Sequence, residues 1–273
     1  MGGPAAASCH IASSLAQAGP ETSMVRDMQS NQAQSPPSPH PARILIKLSG
    51  EALAGEGAFG LDPPTVARIA RDLGAVHGAG SEVAVVVGGG NFFRGVKGLE
   101  QGIDRARGDS IGMLATLMNA LALEGALESF GFPARTQSAV PAPSICESYS
   151  RQQARDHLAR GRIVVLGGGT GNPYFTTDTA AVLRAAELSC DLVVKATQVD
   201  GVYDADPRKD PVAKRFDEIT HAEAIKRDLK IMDTAAFALA REARLPIIVC
   251  ALSGEHAIAD ALGGRRPSTR VTP

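Results

Sequence analysis

Five short runs rich in Val and Ile constrain the fold of this 273-residue chain more than any other feature. They lie at 44–48, 83–87, 163–166, 192–194 and 247–250. None alternates apolar with polar residues, so each fits a strand covered on both faces. Between them run longer amphipathic stretches at about 63–79, 109–130, 150–160, 178–189 and 233–243. Strand and helix therefore alternate, which predicts an α/β fold, a three-layer α/β/α sandwich around a mostly parallel sheet. In the 109–130 stretch, Met113, Leu114, Leu117, Met118 and Leu121 recur at helical spacing and are expected to face the core. No apolar run reads as long enough to span a bilayer. Residues 1–40 differ from the rest, and 35–41 read SPPSPHP. That composition predicts a disordered tail before a single domain over 41–273. The tail lacks the basic start and unbroken apolar core of a signal peptide, and Arg26 is its only arginine.

Three of the strands end in glycine loops. Lys47-Leu48-Ser49-Gly50 closes the first, Gly88-Gly89-Gly90-Asn91 follows the second, and Gly167-Gly168-Gly169-Thr170-Gly171-Asn172 follows the third. Backbone without Cβ atoms lets N–H groups approach an anion, and a following helix adds its positive end. Each loop alone could be only a tight strand-to-helix turn. Three in one sheet favour several phosphates held together. The dinucleotide fingerprint G-x-G-x-x-G is missing after the first strand, where Glu51 and Ala52 follow Gly50, and no Walker A loop occurs.

Charge points the same way. Lys47 and Lys195 each interrupt an apolar strand near its carboxyl end. A buried ammonium needs a counter-charge, which phosphates would supply, although an edge strand with a snorkelling lysine reads the same. Arg94, after the second loop, offers a donor fork suited to phosphate. Asp109 could N-cap its helix. Asp178, at the end of the 170–178 segment (TGNPYFTTD), could cap a helix or orient Lys47 or Lys195, and Asp233 is equally open. The net charge of −1 leaves no basic surplus for nucleic acid or an anionic membrane. Aromatics at 4%, with no Trp, provide no stacking platform for single strands. Cys9, Cys146, Cys190 and Cys250 form no CxxC pair and read as reduced thiols, and the six His are too scattered for a metal site.

Taken in order, KLSGEAL at 47–53, the Gly88–Gly90 loop with Asn91 and Arg94, Gly108-Asp109, TGNPYFTTD, Lys195-Ala196-Thr197 and VDGVY at 199–203 followed by Asp206-Pro207 resemble the bacterial uridylate kinases of the amino-acid kinase family. The resemblance runs from about Arg43 to the end. KLSGEAL and TGNPYFTTD are specific to it; the lysine and glycine pattern alone is shared with aspartate, acetylglutamate and carbamate kinases. It implies the amino-acid kinase fold and transfer of the γ-phosphoryl group of ATP to UMP, with Mg²⁺ carried on ATP and no metal cage in the protein. Lys47, Lys195 and Asp178 would be catalytic. ATP would lie on Lys47, Leu48, Ser49, Gly50, Gly90, Arg94, Thr197, Tyr203 and Asp206. UMP would lie on Gly89, Asp109, Thr170, Gly171, Asn172, Pro173, Tyr174, Phe175, Thr176 and Thr177. A GTP-responsive region would fall on Gly55, Glu56, Gly57, Ala58, Phe59 and Gly60. The resemblance further implies UTP inhibition, a homohexamer, a cytoplasmic setting and a place in pyrimidine nucleotide synthesis. Two departures stand out. Glu124, Gly125 and Glu128 occupy a helix where some relatives carry basic or amide residues. Arg270 replaces a usually apolar residue, so the last strand is expected to be less buried. Another kinase of this fold, or a non-catalytic nucleotide- or oxyanion-binding protein, is the alternative. The first would want an α-amino or carboxylate clamp in place of the 170–177 loop, and the second is disfavoured by the presence of both lysines.

Overall fold

A computed structural model describes residue 2 and residues 42–57, 59–93, 102–229 and 231–273. The expected tail, Arg94 and Ala58 lie outside the described residues. Nine strands form one sheet in the order β4-β3-β5-β2-β1-β6-β10-β11-β9. Its inner strands are β1 (Arg43–Leu48), β2 (Glu82–Val87), β5 (Ile163–Gly167), β6 (Leu192–Thr197) and β10 (Ile247–Ala251). They correspond to the five apolar runs. Flanking them are β3 (Ala134–Ser138), β4 (Glu147–Ser148), β9 (Glu218–Thr220) and β11 (Ser268–Thr272). Every pairing in the sheet is parallel except β10 with β11. A separate hairpin, β7 (Val202–Tyr203) with β8 (Arg215–Phe216), lies in the polar 196–217 segment.

Successive strand residues point to opposite faces, and both faces are apolar. Ile44, Ile46 and Leu48 of β1 join a core with α1 (Pro63–Gly78), α2 (Arg105–Ser129) and α7 (Ala257–Leu262). Leu45 enters a second core with α3 (Arg151–Ala159), α4 (Thr177–Leu188), α5 (His221–Lys226) and α6 (Thr234–Glu242). The three-layer sandwich is therefore present. Lys47 has the parity of Leu45, which sends it to the α4 face.

Three expectations change. The second long helix begins at Arg105, capped by Asp104, whose side chain accepts from Arg107 N at 3.1 Å, so Asp109 is not an N-cap but sits a turn inside α2. Of the predicted core stripe, Leu117 is buried, while Leu114 and Met118 are 52% and 50% exposed. The helix is apolar nearly all round, so spacing alone did not tell its inner face from its outer one. By length and composition α2 also passes as a membrane span, contrary to the sequence expectation, yet one side of it packs on α1, β3 and β5. The expectation for β11 holds, since only two of its five residues are buried against all five in β5. Arg270 is exposed, while Thr269 and Val271 on either side are fully buried and paired with β10. One polar residue on the outward parity leaves the inward face intact.

Candidate active site

All the strands that carry glycine loops run parallel, so their carboxyl ends share one edge, where open α/β sheets bind ligands. Lys47 and Lys195 stand directly across from one another at that edge, in register between β1 and β6. Both strands are internal, which removes the edge-strand explanation for either lysine. Asp178, in the first turn of α4, bridges them. Lys195 Nζ donates to Asp178 Oδ2 at 2.6 Å, and Lys47 Nζ lies 2.9 Å from Oδ1. The Lys47 contact is close but poorly aligned, so Oδ1 has no directed hydrogen bond. Burial alone would raise the Asp178 carboxyl, but the two lysines outweigh it and hold it below its ordinary 3.8. Burial lowers Lys195 below 10.5, Asp178 opposes that, and Lys47 adds to it. Lys195 also donates to the Ile231 carbonyl.

Asp178 is not the helix cap. That position belongs to Thr176, whose hydroxyl accepts from Asp178 N at 3.0 Å and Thr179 N at 3.3 Å. Freed from capping, the Asp178 carboxylate can face the sheet. Asp233 caps α6, accepting from Ala236 N at 3.0 Å, and also accepts from the hydroxyls of Thr176 and Thr179. One carboxylate thus ties the starts of α4 and α6 together beside the lysine pair.

The glycine loops pack against each other. Gly88 N donates to Leu48 O at 2.9 Å, joining the ends of β1 and β2. A Cβ on Gly50 would lie 2.5 Å from Gly88 O, so no other residue fits there without moving the backbone. Gly90 faces Glu51, and Thr177 Oγ1 comes 3.5 Å from where a Gly88 side chain would begin. The side chain of Leu48 is in the core, so Leu48 can offer ligand only its backbone. Ser49 stands at the cap of the 3-10 turn Gly50–Ala54 and makes no side-chain cap bond.

The 168–177 segment is gripped from several sides. Gly168 N donates to Thr116 Oγ1 at 2.7 Å, and Arg184 Nη2 reaches Gly169 O at 3.5 Å. Tyr174 N donates to Asp109 Oδ2 at 2.7 Å, and Arg105 Nε grips the same carboxylate. Thr170 and Asn172 bond one another. Tyr174 adopts a φ of 72° and is exposed with Phe175, although the Arg105 guanidinium lies 5.7 Å from the centre of the Tyr174 ring.

Thr197 ends β6, two residues past Lys195, and its carbonyl accepts from Leu252 N at 2.8 Å. Tyr203 and Asp206 are not joined to the lysine pair by any described bond. Tyr203 Oη donates to Asp200 Oδ1 at 2.6 Å, and Asp206 Oδ1 accepts from Arg208 N at 3.0 Å. Of the GTP-responsive candidates, Phe59 is exposed and meets Phe92 edge-to-face at 5.7 Å, while Gly60 N donates to Asn91 O at 3.0 Å. Thr116, Asn119, Arg184 and the Ile231 carbonyl were not singled out from sequence. Thr116 and Asn119 stand out only as polar residues inside the apolar MLATLMNALAL stretch, with nothing to mark their partners; the other two carried no signal.

The amino acid kinase family model matches residues 42–251. The chain is similar to a uridylate kinase of Azorhizobium caulinodans, 61% identical over 238 residues that cover 87% of this chain and 100% of the relative. A uridylate kinase from a Bradyrhizobium species is 60% identical over 84% of this chain and 96% of its own length. Among solved structures, a UMP kinase from Ureaplasma parvum superposes with a TM-score of 0.82 at 33% identity, covering 85% of this chain and 99% of that one. One from Bacillus anthracis gives 0.82 at 36% identity, over 85% and 96%.

Proposed function

This chain belongs to the amino acid kinase family, among its uridylate kinases, and from that premise we propose that it transfers the γ-phosphoryl group of ATP to UMP, giving ADP and UDP. The observation that carries the proposal is the in-register pair Lys47 and Lys195, bridged by Asp178 where the glycine loops converge. Phosphoryl transfer needs in-line positioning and cations around the transferring oxygens more than covalent help. The lysines supply the cations. Asp178 holds both ammonium groups in place before nucleotide arrives, and incoming phosphate oxygens then share the counter-charge.

ATP is assigned to Lys47, Leu48, Ser49, Gly50 and Gly90, with Thr197, Tyr203 and Asp206 on the adjoining strand end and loop. Tyr203 would stack on the base and Asp206 accept from base or ribose. UMP is assigned to Gly89, Asp109 and residues 170–177, on the far side of the lysine pair. Asp109 supports that assignment by pinning Tyr174 N. Mg²⁺ is the proposed companion of ATP. Among the described residues no cluster of three His, Cys, Asp or Glu side chains is formed, and Asp178 is committed to lysines. This donor set fits an ion carried on the nucleotide's phosphates, where it supplies further neutralisation of their charge.

We also propose a homohexamer, activation by GTP, inhibition by UTP and a cytoplasmic role in pyrimidine nucleotide synthesis. The exposed Leu114 and Met118 on α2 support burial by another copy, because a helix apolar on all sides is stable when covered. The function is tested by an ADP-release assay with ATP-Mg²⁺ and UMP. Lys47→Ala is expected to lower kcat by roughly 10²–10³-fold, the scale of losing one electrostatic stabiliser, while leaving the KM for UMP within about threefold. Unchanged turnover removes Lys47 from the reaction.

A further inference from the structure

We propose that Asn91 and Asn119 form a positioning clip that aims the backbone of the 88–90 glycine loop at the transferring phosphate; the inference rests on the phosphoryl-transfer reading of this site. The two side chains are 1% and 0% exposed. Asn119 Nδ2 donates to Asn91 Oδ1 at 2.7 Å, and Asn91 Nδ2 donates back to Asn119 Oδ1 at 3.0 Å. The remaining donors reach outward. Asn119 Nδ2 donates to Gly88 O at 2.6 Å, and Asn91 Nδ2 donates to Gly60 O at 2.7 Å. Each amide nitrogen is therefore used twice and each amide oxygen once.

Capturing Gly88 O has a consequence for the next residue. In a planar trans peptide the carbonyl and the following N–H point in opposite directions. With Gly88 O held by Asn119, Gly89 N–H is turned away from the clip and from α2. A preorganised N–H contributes to transition-state binding only while its direction is fixed. Gly89 cannot slide to compensate, because a Cβ there would already lie 2.7 Å from Gly112 O. The clip reaches the other phosphate loop as well, since a Cβ on Gly50 would lie 2.7 Å from Asn91 Oδ1. It also holds Gly60 by its carbonyl. An apolar pair of similar size would join α2 to the loop without burying two amides. What the amides add is direction.

The test is Asn119→Asp, with Asn119→Leu as a second variant, each assayed as the full chain against wild type from pH 6 to 9. Ionised Asp has no donor for Gly88 O, whereas protonated Asp regains one. The ratio of variant to wild-type kcat is expected near 1/30 at pH 8, on the order of a misdirected stabilising donor, and at least about fivefold higher at pH 6. Because Gly89 is also assigned to UMP, the KM for UMP is expected to rise as well, by a smaller factor than kcat falls. Ionisable groups common to both proteins, Glu51 beside Gly90 among them, cancel in the ratio. Asn119→Leu loses kcat equally at every pH. An Asn119→Asp ratio near one at pH 8, a loss that is flat with pH, or an Asn119→Leu protein that folds with full kcat overturns the clip. A wild type inert toward UMP overturns the reaction instead. The clip is then judged by calorimetric affinity for ADP-Mg²⁺ at pH 8, which Asn119→Asp weakens at least about fivefold if the clip aims the loop and leaves unchanged if it does not.

Discussion

Asp178 concentrates the argument at the scale of one residue. It separates two ammonium groups held across a strand pairing, and its own carboxyl is held below 3.8 by them. A carboxyl depressed in the folded state contributes stability that is present above its unfolded pKa and lost as pH falls through the folded value. Asp178→Asn removes that charge and leaves two buried ammonium groups facing each other. The expected cost is about 3 kcal/mol of unfolding free energy, the usual scale for breaking a buried pair from one side, read by urea denaturation. Lys195 should also lose its proton at lower pH than in wild type, because Asp178 is the partner that opposes its depression. The alkaline limb of kcat is therefore expected to move down in pH. An unmoved limb and an unmoved urea midpoint would contradict the bridge. Lys47 and Lys195 were legible in the sequence because charge inside a Val/Ile run is costly and conspicuous, and Asp178 only as a carboxylate closing the TGNPYFTTD segment. Asn119 was not, since one amide in an apolar helix does not announce its partner. The choice between capping and bridging for Asp178 required seeing that Thr176 had taken the cap.

Among the elements, α5 carries an unusual histidine. His221 is fully buried, neither ring nitrogen has a hydrogen-bond partner, and the ring meets Phe237 of α6 edge-to-face at 6.2 Å. Burial, with Arg241 nearby, lowers it below 6.5. The unfolded chain therefore takes up a proton that the folded one resists, and stability falls as pH drops below 6.5. The slope is at most about 1.4 kcal/mol per pH unit. His221→Leu should flatten the fall between pH 7 and 5, measured as the difference between the two proteins' urea curves; parallel curves would mean that the ring is protonated in the fold. The edges of the sheet show where element prediction ran out. The five inner strands were readable because burial on both faces demands unbroken β-branched runs. The edge elements were not. β3 is ARTQS, with Thr136, Gln137 and Ser138 buried through hydrogen bonds and close packing instead of apolar side chains. β4, β7, β8 and β9 are two or three residues long, and α5 and α7 six, too short for a period to show.

At the scale of the whole molecule, the parallel sheet explains why distant sequence segments make one site. Parallel pairing brings the carboxyl ends of β1, β2, β5 and β6 to one edge, so residues 47, 88, 167 and 195 gather there although nearly 150 positions separate the first from the last. Removing residues 1–40 is expected to leave kcat within about twofold of the full chain, checked by assaying both proteins at equal concentration; a truncated chain that folds but fails to turn over would assign the segment a role. The central claim is that the loop gripped by Asp109, Thr116 and Arg184 presents UMP to the lysine pair. Its most direct test is acceptor profiling with ATP-Mg²⁺ against UMP, CMP, dUMP, aspartate and acetylglutamate, scored by kcat/KM. UMP is expected to exceed every other acceptor by at least about tenfold, and a higher kcat/KM for any other acceptor would contradict the account.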